Sequence, residues 1–246
     1  MTLLFRIAQA EARSHTRFGA HGQVAQFGPL TAVHAGPNLP LDTAWHDGSG
    51  TPTPDDLDGF EAFSAEHEQA ATLHVLSPFA PDLLPLLRER GYALDYVLHL
   101  YVHDLTPLPD ALQPPNTELP VTEEPDAGRW ADLSAQGFGP GTLEIMRVVG
   151  GAPGTRRFVA WLDGQPAATG AFALQSGVAA LHGTSTRPEF RGGGAQAALL
   201  AHRLRASAQA GADLATVFVT PGTASERNTG RAGFRLAGMR LTFTQS

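Results

Sequence analysis

Residues 182 to 200 read HGTSTRPEFRGGGAQAALL, where a strand-like stretch runs into an arginine, three consecutive glycines and a helical pattern. Gly192, Gly193 and Gly194 leave backbone amides uncovered and admit a ligand close to the chain. The helix that starts behind them turns its unpaired N–H groups and positive dipole end toward the same spot. Arg191 adds a guanidinium fork suited to phosphate oxygens. The combination specifies an anion site, and two linked phosphates fit it best. A glycine run alone is also what a flexible strand-to-helix turn looks like, so the surroundings decide. No GKS or GKT closes this loop, so the lysine and hydroxyl of a nucleoside-triphosphate loop are missing. No GxGxxG is present, and the preceding strands read as an antiparallel meander rather than parallel strand-helix repeats, which excludes the dinucleotide fingerprint.

Other chemistry is narrowed by composition. The chain of 246 residues has no cysteine, which rules out disulfides, thiolate metal sites and an acyl-cysteine intermediate. His99 and His103 share a strand face, but no carboxylate or third histidine stands beside them in sequence, and no metal is expected. The 24 acidic and 17 basic residues give a net charge of -7, which repels a nucleic-acid backbone. At 42% hydrophobic and 17% charged the composition is globular, and the length fits one large domain or two small ones. The opening MTLLFRIAQAEARSH lacks the apolar stretch of a secretory signal, and no window approaches the 18 apolar residues of a membrane span. The expectation is a cytoplasmic protein with no membrane or nucleic-acid partner, as a monomer or homodimer.

The elements that must position the arginine-glycine loop can be read around it. GRWADLSAQGF reads as a helix. RRFVAWLDGQPAATGAFALQSGVAALHGTSTRP reads as three strands joined by turns at Asp163-Gly164 and Ser176-Gly177. After the glycines, Ala198, Leu199, Ala201 and Leu204 recur at helical spacing and Gly211 caps the end. DLATVFVTP is a buried strand, TASERNTGRAGF a short helix ending in glycine, and FRLAGMRLTFTQ a last strand. Upstream, YALDYVLHLYVHDL alternates as a strand that closes a first domain, and the five prolines between Asp104 and Pro120 read as a linker. TPTPDDLDGFEAFSAEHEQ reads as a proline-rich loop into an acidic helix with a solvated charged face. TLHVLSP with the helix and strand after it parallels TVFVTP with its own helix and strand. A tandem repeat and the chance recurrence of a common strand-helix-strand unit both account for that echo.

The run Pro188, Glu189, Phe190, Arg191, Gly192, Gly193, Gly194, Ala195 and Gln196 resembles the cofactor motif of the GNAT acyltransferase superfamily, with Gln196 where glycine or alanine is usual. SERNTGRAGF, ending at Phe234, resembles the family's second landmark, a helix closing on glycine-phenylalanine; together they cover about residues 115 to 246. The resemblance implies an α/β (α+β) fold with a mixed, mostly antiparallel central sheet flanked by helices, in two similar domains in tandem. It divides the chain into a degenerate GNAT-like domain at 1–105, a linker at 106–120 and an acyl-CoA-binding domain at 121–246. It also implies acetyl-CoA or another acyl-CoA as co-substrate, an amine acceptor, and direct acyl transfer in a ternary complex. Thr184, Ser185 and Thr186 would bond the pantetheine arm beside a bulge at Gly183. Arg191, Gly192, Gly193, Gly194, Ala195, Gln196 and Ala197 would hold the diphosphate, and Ser225, Asn228 and Arg231 the far side of the arm. Ser225 and Asn228 read equally as capping and exposed helix residues. Thr229 stands where many members carry a tyrosine acid, and Glu144 and His182 are the first residues to test as base. Loss of that tyrosine keeps a second function open, a non-catalytic acyl-CoA-binding protein.

Overall fold

The computed structural model describes residues 2–106 and 119–245, so most of the expected linker at 106–120 lies outside the described residues. Two compact units divide the chain, Met1–Leu100 with Leu236–Ser246, and Tyr101–Arg235.

In the first unit, α1 (Leu3–His15) is capped by the Thr2 hydroxyl, which accepts from the Phe5 amide at 3.3 Å, and buries Ile7 and Ala8. Strands β1 (Gln23–Phe27), β2 (Leu30–His34) and β3 (Ala44–His46) form an antiparallel meander. After α2 (Pro54–Glu66), β4 (Thr72–Leu76) pairs parallel with β3. Helix α3 (Ala80–Glu89) leads to β5 (Tyr92–Asp104), whose last residues belong to the second unit. Leu30, Leu57, Phe60, Leu73, Leu83 and Leu87 fill the core. At the alternating positions of the strands and the periodic ones of the helices, they are the residues that patterning assigns inward.

The second unit opens with β6 (Val121–Glu123), a short strand that no sequence pattern marked. Helix α4 (Ala127–Phe138) starts at Asp126, whose carboxylate accepts from the Arg129 amide at 3.0 Å, and ends at Gly139 with φ 113°. Helix α5 (Leu143–Gly151) follows, then the meander β7 (Thr155–Leu162), β8 (Gln165–Gln175) and β9 (Val178–Thr186). Its turns are the expected ones. Asp163-Gly164 has φ of 51° and 75° and Ser176-Gly177 52° and 76°, the left-handed pairs of tight hairpins. Helix α6 (Ala195–Gln209), β10 (Leu214–Val219) and α7 (Ala224–Arg231) complete the unit. Phe158, Phe172 and Leu181 of the strands pack against Leu199, Leu200 and Leu204 of α6.

The chain's last strand, β11 (Arg235–Gln245), pairs antiparallel with β4 from Thr244↔Thr72 to Arg240↔Leu76. Strand order is β1-β2-β3-β4-β11-β5 in the first unit and β5-β10-β9-β8-β7-β6 in the second. Each unit is a mixed, mostly antiparallel sheet with flanking helices, an α+β arrangement. Residues 236–246 group with the first unit. Alternation marks β11 as a strand but does not say which edge it will join. Among the described residues no helix is long and apolar enough to cross a membrane.

Candidate functional site

Two irregularities in the second unit open a cleft. Strand β10 pairs parallel with β9 only from Leu214↔Val178 to Val217↔Leu181, although both strands run on to Val219 and Thr186. Beyond Leu181 the neighbours part. The β8–β9 ladder also slips between Thr169↔Ser185 and Ala171↔His182, so three steps in β9 face two in β8 and β9 bulges around Gly183. Gly183 has φ 61°, and a Cβ there would come 2.6 Å from Cη2 of the Trp130 indole, so conformation and packing both require glycine.

A cavity of about 860 Å³ lies at this opening. Gly137 and Phe138 from the end of α4, Thr184 to Thr186 of β9, the loop from Phe190 into α6, and residues of α7 line it. Its size is that of a ligand pocket. No aspartate or glutamate is among the lining residues, whereas Arg191 and Arg231 are. Gly194 caps α6 with φ 83° and ψ -5° and no side-chain hydrogen bond. The first intrahelical bond is donated by Ala198 to the Gly194 carbonyl at 3.1 Å, which leaves the earlier amides of the turn outside the helix ladder. An uncovered helix mouth with two guanidinium groups and no carboxylate selects an anion.

Side chains around the cavity tie its walls together. The Arg191 guanidinium donates to the Thr186 and Gly137 carbonyls, each at 3.4 Å, which lays its stem along the rim. Asn228 donates to Gln196 Oε1 at 2.6 Å, Gln196 Nε2 donates to Ser225 Oγ at 3.4 Å, and Arg231 donates to Asn228 Oδ1 at 3.2 Å. The unusual Gln196 therefore bridges α6 to α7. The Ser185 hydroxyl turns the other way, bonding the Ser134 carbonyl and the Thr169 hydroxyl at 3.0 Å each, so only its backbone is left to face the cavity.

The structure brings Thr184, Ser185, Thr186, Arg191, Gly192, Gly194, Ala195, Gln196, Ala197, Ser225, Asn228 and Arg231 to one cavity. Gly193 is not among its lining residues, and a Cβ on it would lie 2.9 Å from Leu162 Cδ2, so its glycine serves packing. Glu144 sits in the exposed first turn of α5, paired with Arg147 at 2.6 Å, and does not line the cavity. His182 lies on β9 just before the bulge, its Nδ1 3.0 Å from the Ala180 carbonyl oxygen. Thr229 is buried at 3% exposure and away from the lining. Gly137, Phe138, Thr223 and Ala224 also line the cavity without having been singled out from sequence, and Phe190 joins them from within the arginine-glycine motif. Gly137 carried a signal in hindsight: a Cβ would approach Ser185 Oγ to 2.5 Å, so glycine is what lets α4 end against β9. His103, weighed earlier as a ligand, bonds the Asp104 carbonyl and packs edge-on against Phe234, and no group of three metal-ligating residues occurs among the described residues.

In the first unit α2 stands between a three-stranded meander and β4, as α6 stands between the second unit's meander and β10, but the mouth of α2 is closed by its own side chains. Thr53 Oγ1 accepts from the Asp56 amide at 3.2 Å, the Asp56 carboxylate accepts from the Thr53 amide at 2.8 Å, and Asp55 adds a second negative charge in the first turn. This capping box occupies the Thr53 and Asp56 amides at the mouth of α2. A phosphate there would meet two carboxylates.

No family model and no curated protein matches the chain. Solved structures do. A GCN5-related N-acetyltransferase from Kribbella flavida superposes with TM-score 0.76 at 17% identity, covering 100% of this chain and 96% of that one. A tandem GNAT protein from the clavulanic acid biosynthesis pathway gives 0.55 at 16% identity over 87% and 77%. A GCN5-related N-acetyltransferase from Sphaerobacter thermophilus gives 0.51 at 19% identity over 72% and 60%. The chain therefore has a GNAT-like fold.

Proposed function

We propose that the protein is an acyl-CoA-dependent N-acyltransferase, moving an acetyl group from acetyl-CoA to the amine of a small molecule or peptide. The observation that carries the reading is the uncapped mouth of α6 beside Arg191, at the end of a cleft opened by the parting of β9 and β10. In this reading the amides of Gly192 and of Gly194 to Ala197, with the Arg191 guanidinium, hold the diphosphate, while the Gly193 amide is donated to the Phe190 carbonyl at 3.3 Å. The pantetheine arm lies along Thr184 to Thr186, with Ser225, Asn228 and Arg231 on its other side. The thioester then reaches the bulge at Gly183, where backbone amides stabilise charge developing on its oxygen.

Transfer is direct. The amine nitrogen bonds to the thioester carbon, the C–S bond breaks, the nitrogen loses one proton and the sulfur gains one. Positioning supplies most of the rate gain, since the chain has no cysteine to form an acyl intermediate. His182, next to the bulge, is the proposed proton acceptor. Glu144 is not, because it faces solvent beside Arg147. We also propose that the first unit is a degenerate copy of the same domain whose diphosphate mouth has been replaced by the Thr53-Asp56 capping box.

Acetyl-CoA at about 100 times its Kd is expected to stabilise the protein by about 2.7 kcal/mol, a melting shift of several degrees. Arg191→Glu is expected to abolish that shift, and a wild-type melting curve indifferent to acetyl-CoA would overturn the proposal. The buried Thr229, which offers no acid at the tyrosine position, favours a second reading as a non-catalytic acyl-CoA-binding protein. A melting shift without release of free thiol across a broad amine panel selects it.

A further inference from the structure

Among the described residues Trp130 and Arg203 are the two largest fully buried side chains, and both end beside the bulged part of β9. Trp130, from α4, occupies the space that a side chain on Gly183 would need. Arg203, from α6, is 1% exposed, and a Cβ on Gly170 of β8 would lie 2.9 Å from its Cζ. Two glycines thus make room for two large groups at one backbone irregularity.

The Arg203 contacts are unusual for a buried cation. Nη1 donates to the Ala171 carbonyl at 3.1 Å and the His182 carbonyl at 3.3 Å, and Nε donates to the Leu199 carbonyl at 3.4 Å. None of these partners is a carboxylate. Desolvation alone holds the guanidinium pKa down, to about 10, so it is still a cation at neutral pH. A core built only for stability gains more from an apolar side chain of this size than from a charge without a counter-ion.

We propose that Arg203 is a positioning residue for acyl transfer, holding the His182 carbonyl so that the adjoining bulge amide is presented to the thioester oxygen. The inference rests on the acyl-CoA reading of the cleft. Its geometry follows from the planar trans peptide, in which the His182 C=O and the Gly183 N–H point in opposite directions, so fixing one fixes the other. Ala171 and His182 are partners at the edge of the register slip, and a single nitrogen bonding both carbonyls pins the slip in place.

The test uses the full chain with CoA and with acetyl-CoA labelled with ¹³C at the carbonyl. Wild-type protein is expected to bind both, to prefer acetyl-CoA by about fivefold, the worth of one hydrogen bond, and to move the carbonyl resonance downfield of its free position. Arg203→Met is expected to keep CoA affinity within about twofold while losing the preference and the downfield shift. Arg203→Lys, which keeps the charge and one reach of donor, is expected to restore part of both. Gly170→Ala, which leaves Arg203 present but crowds its guanidinium, is expected to act like Arg203→Met and serves if that variant does not fold. A folded Arg203→Met or Gly170→Ala protein with the resonance shift intact would overturn the inference, as would a parallel loss of CoA and acetyl-CoA binding. A wild-type protein that binds no CoA removes the acyl-CoA reading itself, and this inference with it.

Discussion

Arg191 is the residue on which ligand affinity should depend most. Its bonds to the Thr186 and Gly137 carbonyls are long, 3.4 Å each, and it is exposed, so a diphosphate can recruit it without displacing a strong partner. Charge-assisted hydrogen bonds of this kind contribute about 1.5–3 kcal/mol, so Arg191→Ala should weaken acetyl-CoA binding by roughly 10- to 150-fold in a calorimetric titration. The protein should melt within about 1 °C of wild type, because an exposed side chain holds little of the fold. Gln196 was legible as a departure from the usual small residue, but its role was not. Only in three dimensions does it lie between Ser225 and Asn228, 29 and 32 positions away. Gln196→Ala should cost less affinity than Arg191→Ala, since it removes a bridge between helices rather than a cation.

At the scale of elements, the pair of helix mouths explains why one anion site is expected and not two. Gly194 holds φ 83°, a conformation that costs an L-residue roughly 1–2 kcal/mol. Gly194→Ala should therefore lower the melting temperature by a few degrees and weaken acetyl-CoA binding together, because strain is relieved by moving the turn that carries the amides. The converse change, Thr53→Ala with Asp56→Ala in α2, should destabilise the protein by about 1–2 kcal/mol in a denaturant titration, the value of a lost cap. Most of this layer could be read from the chain. The meander, both its turns, the long helix and the glycine ends all follow from local periodicity and turn chemistry. Strand β6 could not, since three residues with partners 35 or more positions on carry no period of their own. The parting of β9 and β10 was equally hidden, because pairing that stops midway leaves no mark on either strand's alternation.

For the whole molecule, the placement of β11 has a consequence for dissection. A fragment ending near residue 105 lacks the strand that pairs with β4, and a fragment beginning near 121 lacks residues 101–104 of β5. Neither half expressed alone should show the cooperative melting of the intact chain by circular dichroism. Stability should also depend on pH through the buried histidines of the first unit. His15 is held down to about 4 from 6.5, chiefly by burial, while His74 is lowered well below 6.5, by burial and by the nearby Arg240 cation. The unfolded chain binds protons that the folded one refuses, so this stability is fully present above pH 6.5 and is lost as the pH falls toward 4. His15 alone accounts for up to about 3 kcal/mol across that window, readable as a falling urea midpoint between pH 7 and pH 4.

Amide hydrogen exchange with and without saturating acetyl-CoA tests the central claim most directly, since the proposed ligand contacts are backbone N–H groups. Slower exchange is predicted across residues 192–197 at the start of α6, with no change across residues 53–57 at the start of α2. Unchanged exchange at 192–197, or equal protection at both helix mouths, would contradict the account.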